Sequence, residues 1–350
     1  MSSETSVNLS SPIATVDELE DRLSEPTPGV IEALARLDGD LMVLGAGGKM
    51  GPSLARMARR AFDAAGAHRR VLAVSRFGDG RTETFLRAHG VETLRCDLLD
   101  PDQLQQLPDV PNVVFMTGRK FGSTGQEALT WALNAYLPGL VSQKFRQSRI
   151  VAFSTGNVYG LTPVALGGSV EDDVLRPIGE YAMSALGRER LFEHFSRQCG
   201  IPLVLLRLNY ATELRYGVLV DVARRVFAEE PIDLTMGHLN ALWQGDANAA
   251  ALQAFTLTAS PPRVLNIAGP ELLSVRRLAE QFGRLLGKKI TLRGSESAEA
   301  FLSNAQAAHR LFGYPRVSAA QLVEWVAAWV RAGGEHLGKP THFEVRDGDY

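Results

Sequence analysis

Short apolar runs alternate with amphipathic stretches along most of this chain. Residues 41–44, 71–74, 91–95, 113–116, 150–154 and 203–208 read as strands, whereas 52–65, 125–146 and 178–198 carry apolar positions at helical spacing. Strands that are apolar at successive positions are buried on both faces, as in a parallel sheet covered by βα crossovers. From about residue 209 the pattern is less regular. It predicts a helix over 217–228, a strand over 264–267, helices over 274–286 and 319–332, and a polar tail. Ahead of the first strand, 16–23 and 30–37 have helical spacing but are separated by Pro26-Thr27-Pro28-Gly29, which breaks any continuous helix. Two short helices packed on the outside of the α/β domain are expected. The implied organisation is α/β: a helical extension over 1–38, a doubly wound parallel domain over 39–208, a smaller lobe over 209–335 with some elements returning to the main sheet, and a tail over 336–350.

Composition narrows the function classes. With 350 residues, 45% of them hydrophobic, the chain can bury two lobes. A formal charge of −2 lacks the basic excess usual for a nucleic-acid partner. No run approaches the roughly eighteen apolar residues of a membrane span, and the acidic, polar N-terminus has no signal-like apolar region. Cys96 and Cys199 form no CxxC pair, and the histidines show no ligand-like spacing, so no metal site is expected. The expectation is a soluble cytoplasmic protein that binds small molecules, with neither a membrane nor a nucleic-acid partner.

The first strand runs into Gly45-Ala46-Gly47-Gly48-Lys49-Met50-Gly51 and then a helix, giving GxxGxxG. Glycines there allow a tight bend, close backbone approach to a pyrophosphate and close helix–strand packing, while the helix N-terminus offers N–H donors. This is a candidate dinucleotide turn. At the end of the second strand a carboxylate would suit the ribose 2′-hydroxyl of NAD, and a cation the 2′-phosphate of NADP. Ser75 and Arg76 stand there without an acid, which leans towards NADP, with NAD left open. Asp97, followed by Leu98, is placed to meet the adenine edge, and Asp100 with Pro101 reads as a helix cap. Thr117 and Gly118, at the fourth strand end, border the nicotinamide half.

At the fifth strand the sequence reads Ser154-Thr155-Gly156-Asn157, followed by Glu180-Tyr181-Ala182-Met183-Ser184 and later by Arg207-Leu208-Asn209-Tyr210. With the glycine turn, these motifs resemble the extended short-chain dehydrogenase/reductase family, the NAD(P)-dependent epimerases and dehydratases, over roughly residues 41–330. The resemblance implies a Rossmann-type doubly wound parallel sheet that carries NAD(P), and a smaller C-terminal α/β lobe over a substrate cleft. It also implies a homodimer paired through the long helices at 125–146 and 178–198, where Ala128, Trp131, Ala132, Ala135 and Tyr136 form an apolar stripe. By motif position, Tyr181 is the catalytic acid/base and Thr155 the orienting hydroxyl, with Ser154 beside it. The implied activity is hydride transfer at a secondary alcohol or ketone of a carbohydrate-like substrate.

One departure from the family stands out. A Tyr-x-x-x-Lys pair would put lysine at 185, and the residue there is Ala185. Tyrosine titrates near pH 10 and needs a neighbouring cation to act as a base at neutral pH. Lys120, or alternatively Arg119, follows the fourth strand and is the candidate source of that charge. A second departure concerns the substrate. Residues 235–246 lack the arginine that nucleotide-sugar enzymes use for a diphosphate, so a smaller sugar or sugar acid is expected ahead of a nucleotide sugar. Arg119, Asn157, Asn209, Tyr210, Arg215 and His238 are candidate substrate contacts, and Asp246 a candidate helix cap. The alternative reading is a catalytically eroded protein that binds NAD(P) in a structural or sensory role.

Overall fold

A computed structural model describes residues 11–78 and 80–349. Its centre is a seven-stranded sheet of β1 (Leu41–Leu44), β2 (Val71–Ser75), β3 (Glu92–Arg95), β4 (Asn112–Phe115), β5 (Arg149–Thr155), β6 (Leu203–Leu208) and β7 (Arg263–Ile267). The strands lie in the order 7-6-5-4-1-2-3 and every pair is parallel. Strand order reverses between β1 and β4, which opens a crevice at the carboxyl ends of these two strands.

The helices in chain order are α1 (Val16–Leu23), α2 (Pro28–Ala35), α3 (Gly51–Ala64), α4 (Arg81–Ala88), α5 (Pro101–Gln106), α6 (Glu127–Trp131), α7 (Leu137–Lys144) and α8 (Gly179–Cys199). They continue with α9 (Val218–Phe227), α10 (Gln244–Gln253), α11 (Val275–Leu286), α12 (Gln306–Phe312) and α13 (Ala319–Arg331). Successive strand residues serve opposite sheet faces. Leu41 and Val43 pack with residues of α2, α3 and α10, whereas Met42 and Leu44 pack with residues of α5, α7 and α8. That alternation is why β1 is apolar at every position.

The second lobe gathers α9, α11 and α13 around Phe282 and Trp325. Here the N-terminal helices differ from the expected outer packing. Leu19 and Leu23 of α1 are completely buried in the second-lobe core, and Val30 and Leu34 of α2 in the sheet-face core. Arg215 reinforces the join by pairing with Glu20 at 2.6 Å. Segment 263–267 returns to the main sheet as β7, beside β6. The tail is tied down as well: Thr341 donates its backbone N–H to Asp221 of α9 at 2.8 Å, and Phe343 is buried.

The helix expected over 125–146 is in fact three pieces, with a π-helical turn at Ala132–Tyr136 between α6 and α7. Pro138 has no N–H to donate to Asn134, which releases that carbonyl from the α-helical ladder. Arg188 of α8 donates to the same carbonyl at 3.4 Å.

Candidate active site

The glycine turn occupies the crevice between β1 and β4. Gly45 has φ +87°, and a Cβ there would meet Thr117 Oγ1 at 2.7 Å. A Cβ on Gly51 would lie 2.4 Å from the Ala46 carbonyl oxygen, so the start of α3 seats directly on the chain leaving β1. Gly48 donates to the Gly45 carbonyl at 3.1 Å, and a Cβ on Gly47 would meet Ser75 Oγ at 2.4 Å. Among the described residues no side chain caps the first turn of α3, and the hydroxyl of Thr117 is buried with no hydrogen-bond partner. Uncapped helix N–H groups, a surface bare of side chains and an orphaned hydroxyl fit a dinucleotide pyrophosphate. At the ends of β2 and β3, where the adenine was expected, Arg76 is exposed and 3.9 Å from Asp97, which accepts from the Leu99 N–H; Leu98 is buried beside them. Asp100 caps α5 as expected, accepting from Asp102 and Gln103.

From this turn a cavity of about 470 Å³ runs towards the second lobe. Lys49, Met50, Lys120, Ser154, Thr155 and Tyr181 line it, together with Gly118, Asn157, Asn209 and Tyr210. Thr155, the last residue of β5, is hydrogen-bonded to Tyr181 in the first turn of α8, and its hydroxyl also donates to Asn157 Oδ1 at 3.2 Å. Burial pushes the Tyr181 phenol above its ordinary value, opposed by the Thr155 hydrogen bond and the charge of Arg188. Lys120 Nζ lies 5.7 Å from the centroid of the Tyr181 ring, and burial lowers its ammonium to about 8. Ser154 lines the cavity, but its hydroxyl is engaged within the fold. Its hydroxyl donates to Glu189 at 2.5 Å, and Glu189 in turn is paired with Arg207 at 2.8 Å.

Several expected contacts are placed elsewhere. Arg119 bends back to the Gly122 carbonyl at 2.9 Å and holds the loop after β4. Arg215 is consumed by Glu213 and Glu20, a buried join outside the cavity. His238 pairs with Ser274 across a two-residue strand and also lies outside the cavity. Asp246 is no helix cap: it sits within α10 and accepts from the Val317 N–H at 3.1 Å.

The structure adds Arg188, which sequence reading missed. It lies seven residues beyond Tyr181, two turns along the same face of α8, and side chains on helices lean towards the N-terminus. It is buried, donates to the Phe153 carbonyl at 2.8 Å and to Asn134 Oδ1 at 2.7 Å, and its charge acts on Tyr181. A Cβ on Gly118 would come within 2.4 Å of its guanidinium, so the glycine following β4 makes the space for it. Ala185, where a lysine was expected, is buried against Val158 and Tyr159. The helical period was the available signal for Arg188. Phe121, Tyr216 and Lys339, which also line the cavity, carried none, because loops and the tail bring them in.

The NAD dependent epimerase/dehydratase family model matches residues 41–215. Among solved structures, a UDP-glucose 4-epimerase from Thermotoga maritima superposes with a TM-score of 0.70 at 18% identity, covering 84% of this chain and 99% of that one. A UDP-glucuronic acid 4-epimerase from Bacillus cereus, in complex with UDP-glucuronic acid and NAD, gives 0.69 at 20% identity over 83% and 99%. A dTDP-glucose 4,6-dehydratase from Bacillus anthracis in complex with NAD gives 0.70 at 14% identity over 84% and 96%. At these identities the likeness is one of fold. No curated protein sequence matches the chain.

Proposed function

Because this chain belongs to the NAD dependent epimerase/dehydratase family, we propose that it moves a hydride between NAD(P) and a secondary alcohol or ketone of a small, carbohydrate-like substrate. The observation that carries the reading is the hydrogen-bonded hydroxyl pair of Tyr181 and Thr155, in the same cavity as the glycine turn. Bound NAD(P) would supply the hydride donor and acceptor. Thr155 Oγ1 holds the substrate oxygen against Tyr181 Oη, and Tyr181 passes the proton to or from that oxygen. The lysine missing at 185 is replaced by two cations, Arg188 held rigidly by β5 and Asn134, and Lys120 over the tyrosine ring. Exposed Arg76 supports NADP over NAD.

The test is to titrate the protein with NADH and NADPH, then screen sugars and sugar acids for turnover by absorbance and by product analysis. Product analysis is needed because internal return of hydride gives no net absorbance change. Tight nucleotide binding with no product from any substrate would favour the structural or sensory role. Lys120→Ala is expected to lower kcat by about ten-fold while leaving NAD(P)H affinity unchanged, since it removes the ammonium that lies 5.7 Å from the Tyr181 ring. Turnover equal to wild type would leave Arg188 as the sole replacement for the lysine.

The dimer is also proposed. Trp131, Tyr136 and Met183 are exposed on the paired α6–α7 and α8 segments, beside a groove lined by Gly139, Leu191 and Phe195. Large exposed apolar side chains clustered on one face suit a self-interface. Tyr136→Glu is expected to yield monomers in sedimentation experiments; an unchanged mass would refute this face.

A further inference from the structure

The end of the cavity beyond Tyr181 is walled by two rings, Phe121 and Tyr216, edge to face with centroids 6.4 Å apart. Three lysines from three separate elements converge there. Lys49 leaves the glycine turn, and its ammonium lies 3.2 Å from the centre of the Tyr216 ring and 4.5 Å from that of Phe121. Lys120 follows β4 and reaches 5.4 Å from the Phe121 ring. Lys339 lines the same cavity, carried by the tail. The tail is fixed on both sides of it: the Leu337 N–H donates to the Arg215 carbonyl at 3.2 Å, and Thr341 donates to Asp221.

Among the described residues neither Lys49 nor Lys339 is in an ion pair. The carboxylates that act on Lys49 are Asp221 and Glu213, and both are otherwise engaged. Glu213 is paired with Arg215, Asp221 accepts from Thr341, and burial pushes each above the usual carboxylate range. Burial, then repulsion from Lys339 and Lys120, lowers the Lys49 ammonium to about 7. Crowding cations in a partly desolvated cavity is unfavourable unless a ligand brings negative charge. In the second lobe, Arg215 and Arg276 are each held by glutamates.

We propose that the cleft selects a small substrate bearing a compact oxyanion, a carboxylate or a phosphate, held by Lys49, Lys120 and Lys339 against Phe121 and Tyr216. The proposal rests on the reading of this cavity as the substrate site. It assigns the Lys49 side chain to substrate, while the backbone of the glycine turn remains with the cofactor. It also gives the tail a role in specificity, because Lys339 reaches the cleft only while residues 337–342 stay docked.

Calorimetric titration of the NADPH-saturated protein with D-glucuronate, D-glucose 6-phosphate and neutral D-glucose tests it. At least one of the two anions is expected to bind about ten-fold or more tightly than glucose, and the stronger of the two identifies carboxylate or phosphate. Lys49→Met and Lys339→Met should each remove about ten-fold of that preference while leaving NADPH affinity unchanged. Failure of both anions to bind, or equal binding of all three sugars, overturns the proposal. Loss of NADPH affinity in the variants also overturns it, and would assign the lysines to the cofactor. Anion selectivity without hydride transfer to any sugar would refute the functional reading alone and leave the oxyanion site standing.

Discussion

Tyr181→Phe is expected to lower kcat by about 10²–10⁴-fold, with NAD(P)H affinity nearly unchanged. The variant removes one oxygen from a partly buried ring whose place in α8 depends on the backbone, so the helix and the cavity wall survive. What disappears is the hydroxyl proposed to pass the proton to or from the substrate oxygen. In the wild type, burial favours the neutral phenol, which makes Tyr181 ready to donate a proton as it stands. Acting as a base requires the phenolate, and the opposing influences are the Thr155 hydrogen bond and the Arg188 charge. Turnover in the alcohol-oxidising direction should therefore rise with pH through the Tyr181 titration, and that rise should be absent in the phenylalanine variant. Pre-steady-state measurement of NADPH formation separates this from slow product release. A variant that turns over at the wild-type rate would remove Tyr181 from the chemistry.

The largest stability effect is expected at Arg207. Its guanidinium makes a two-pronged contact with Glu189, at 2.8 Å and 3.0 Å, with both side chains nearly inaccessible. The pair is saturated by neighbours: Ser154 donates to Glu189, while Arg207 also donates to the Tyr159 hydroxyl at 2.8 Å and the Glu171 carbonyl at 3.0 Å. Tyr159 continues the chain to Asn266 at 2.7 Å, and burial pushes its phenol up to about 12. The network therefore joins β5, α8, β6 and β7 close to Thr155. Arg207→Met leaves the Glu189 carboxylate buried without a counterion and should cost roughly 3–5 kcal/mol, measurable by urea denaturation. Adding Glu189→Leu removes the stranded charge and should recover much of the loss, though not all, because the Ser154 hydroxyl then loses its acceptor and the Glu171 carbonyl its donor. A double variant as unstable as Arg207→Met would show that the loss comes from packing and not from the uncompensated charge.

The glycine turn at one end of the cleft was legible in the sequence because its requirements are local. Gly45, Gly48 and Gly51 follow one strand and precede one helix within a few residues, and the steric reasons for Gly45 and Gly51 are contacts inside that unit or with its immediate neighbour. Thr155 and Tyr181 were legible for a similar reason, since each sits at a fixed distance from the end of β5. The other end was not. Arg215 and His238 were plausible by type and position, yet Arg215 meets Glu20 from a helix almost two hundred residues away in sequence, and His238 lies outside the cavity. Side chains in the irregular second lobe are directed by long-range packing, which no local period encodes.

By itself the sequence determined the parallel sheet, the glycine turn and the tyrosine–threonine pair, because apolar periodicity and glycine spacing act over one or two turns of chain. It also declared a lysine absent at 185, and it held Arg188 at the spacing of two helical turns. Only the tertiary structure decided where the positive charge resides. Arg188 reaches the site because Gly118 leaves room and Asn134, in the π-helical turn before Pro138, accepts its guanidinium. Lys339 reaches it because the tail docks on α9. Electrostatic interaction depends on distance through space, and the fold alone brings residues 49, 120, 188 and 339 to one cleft.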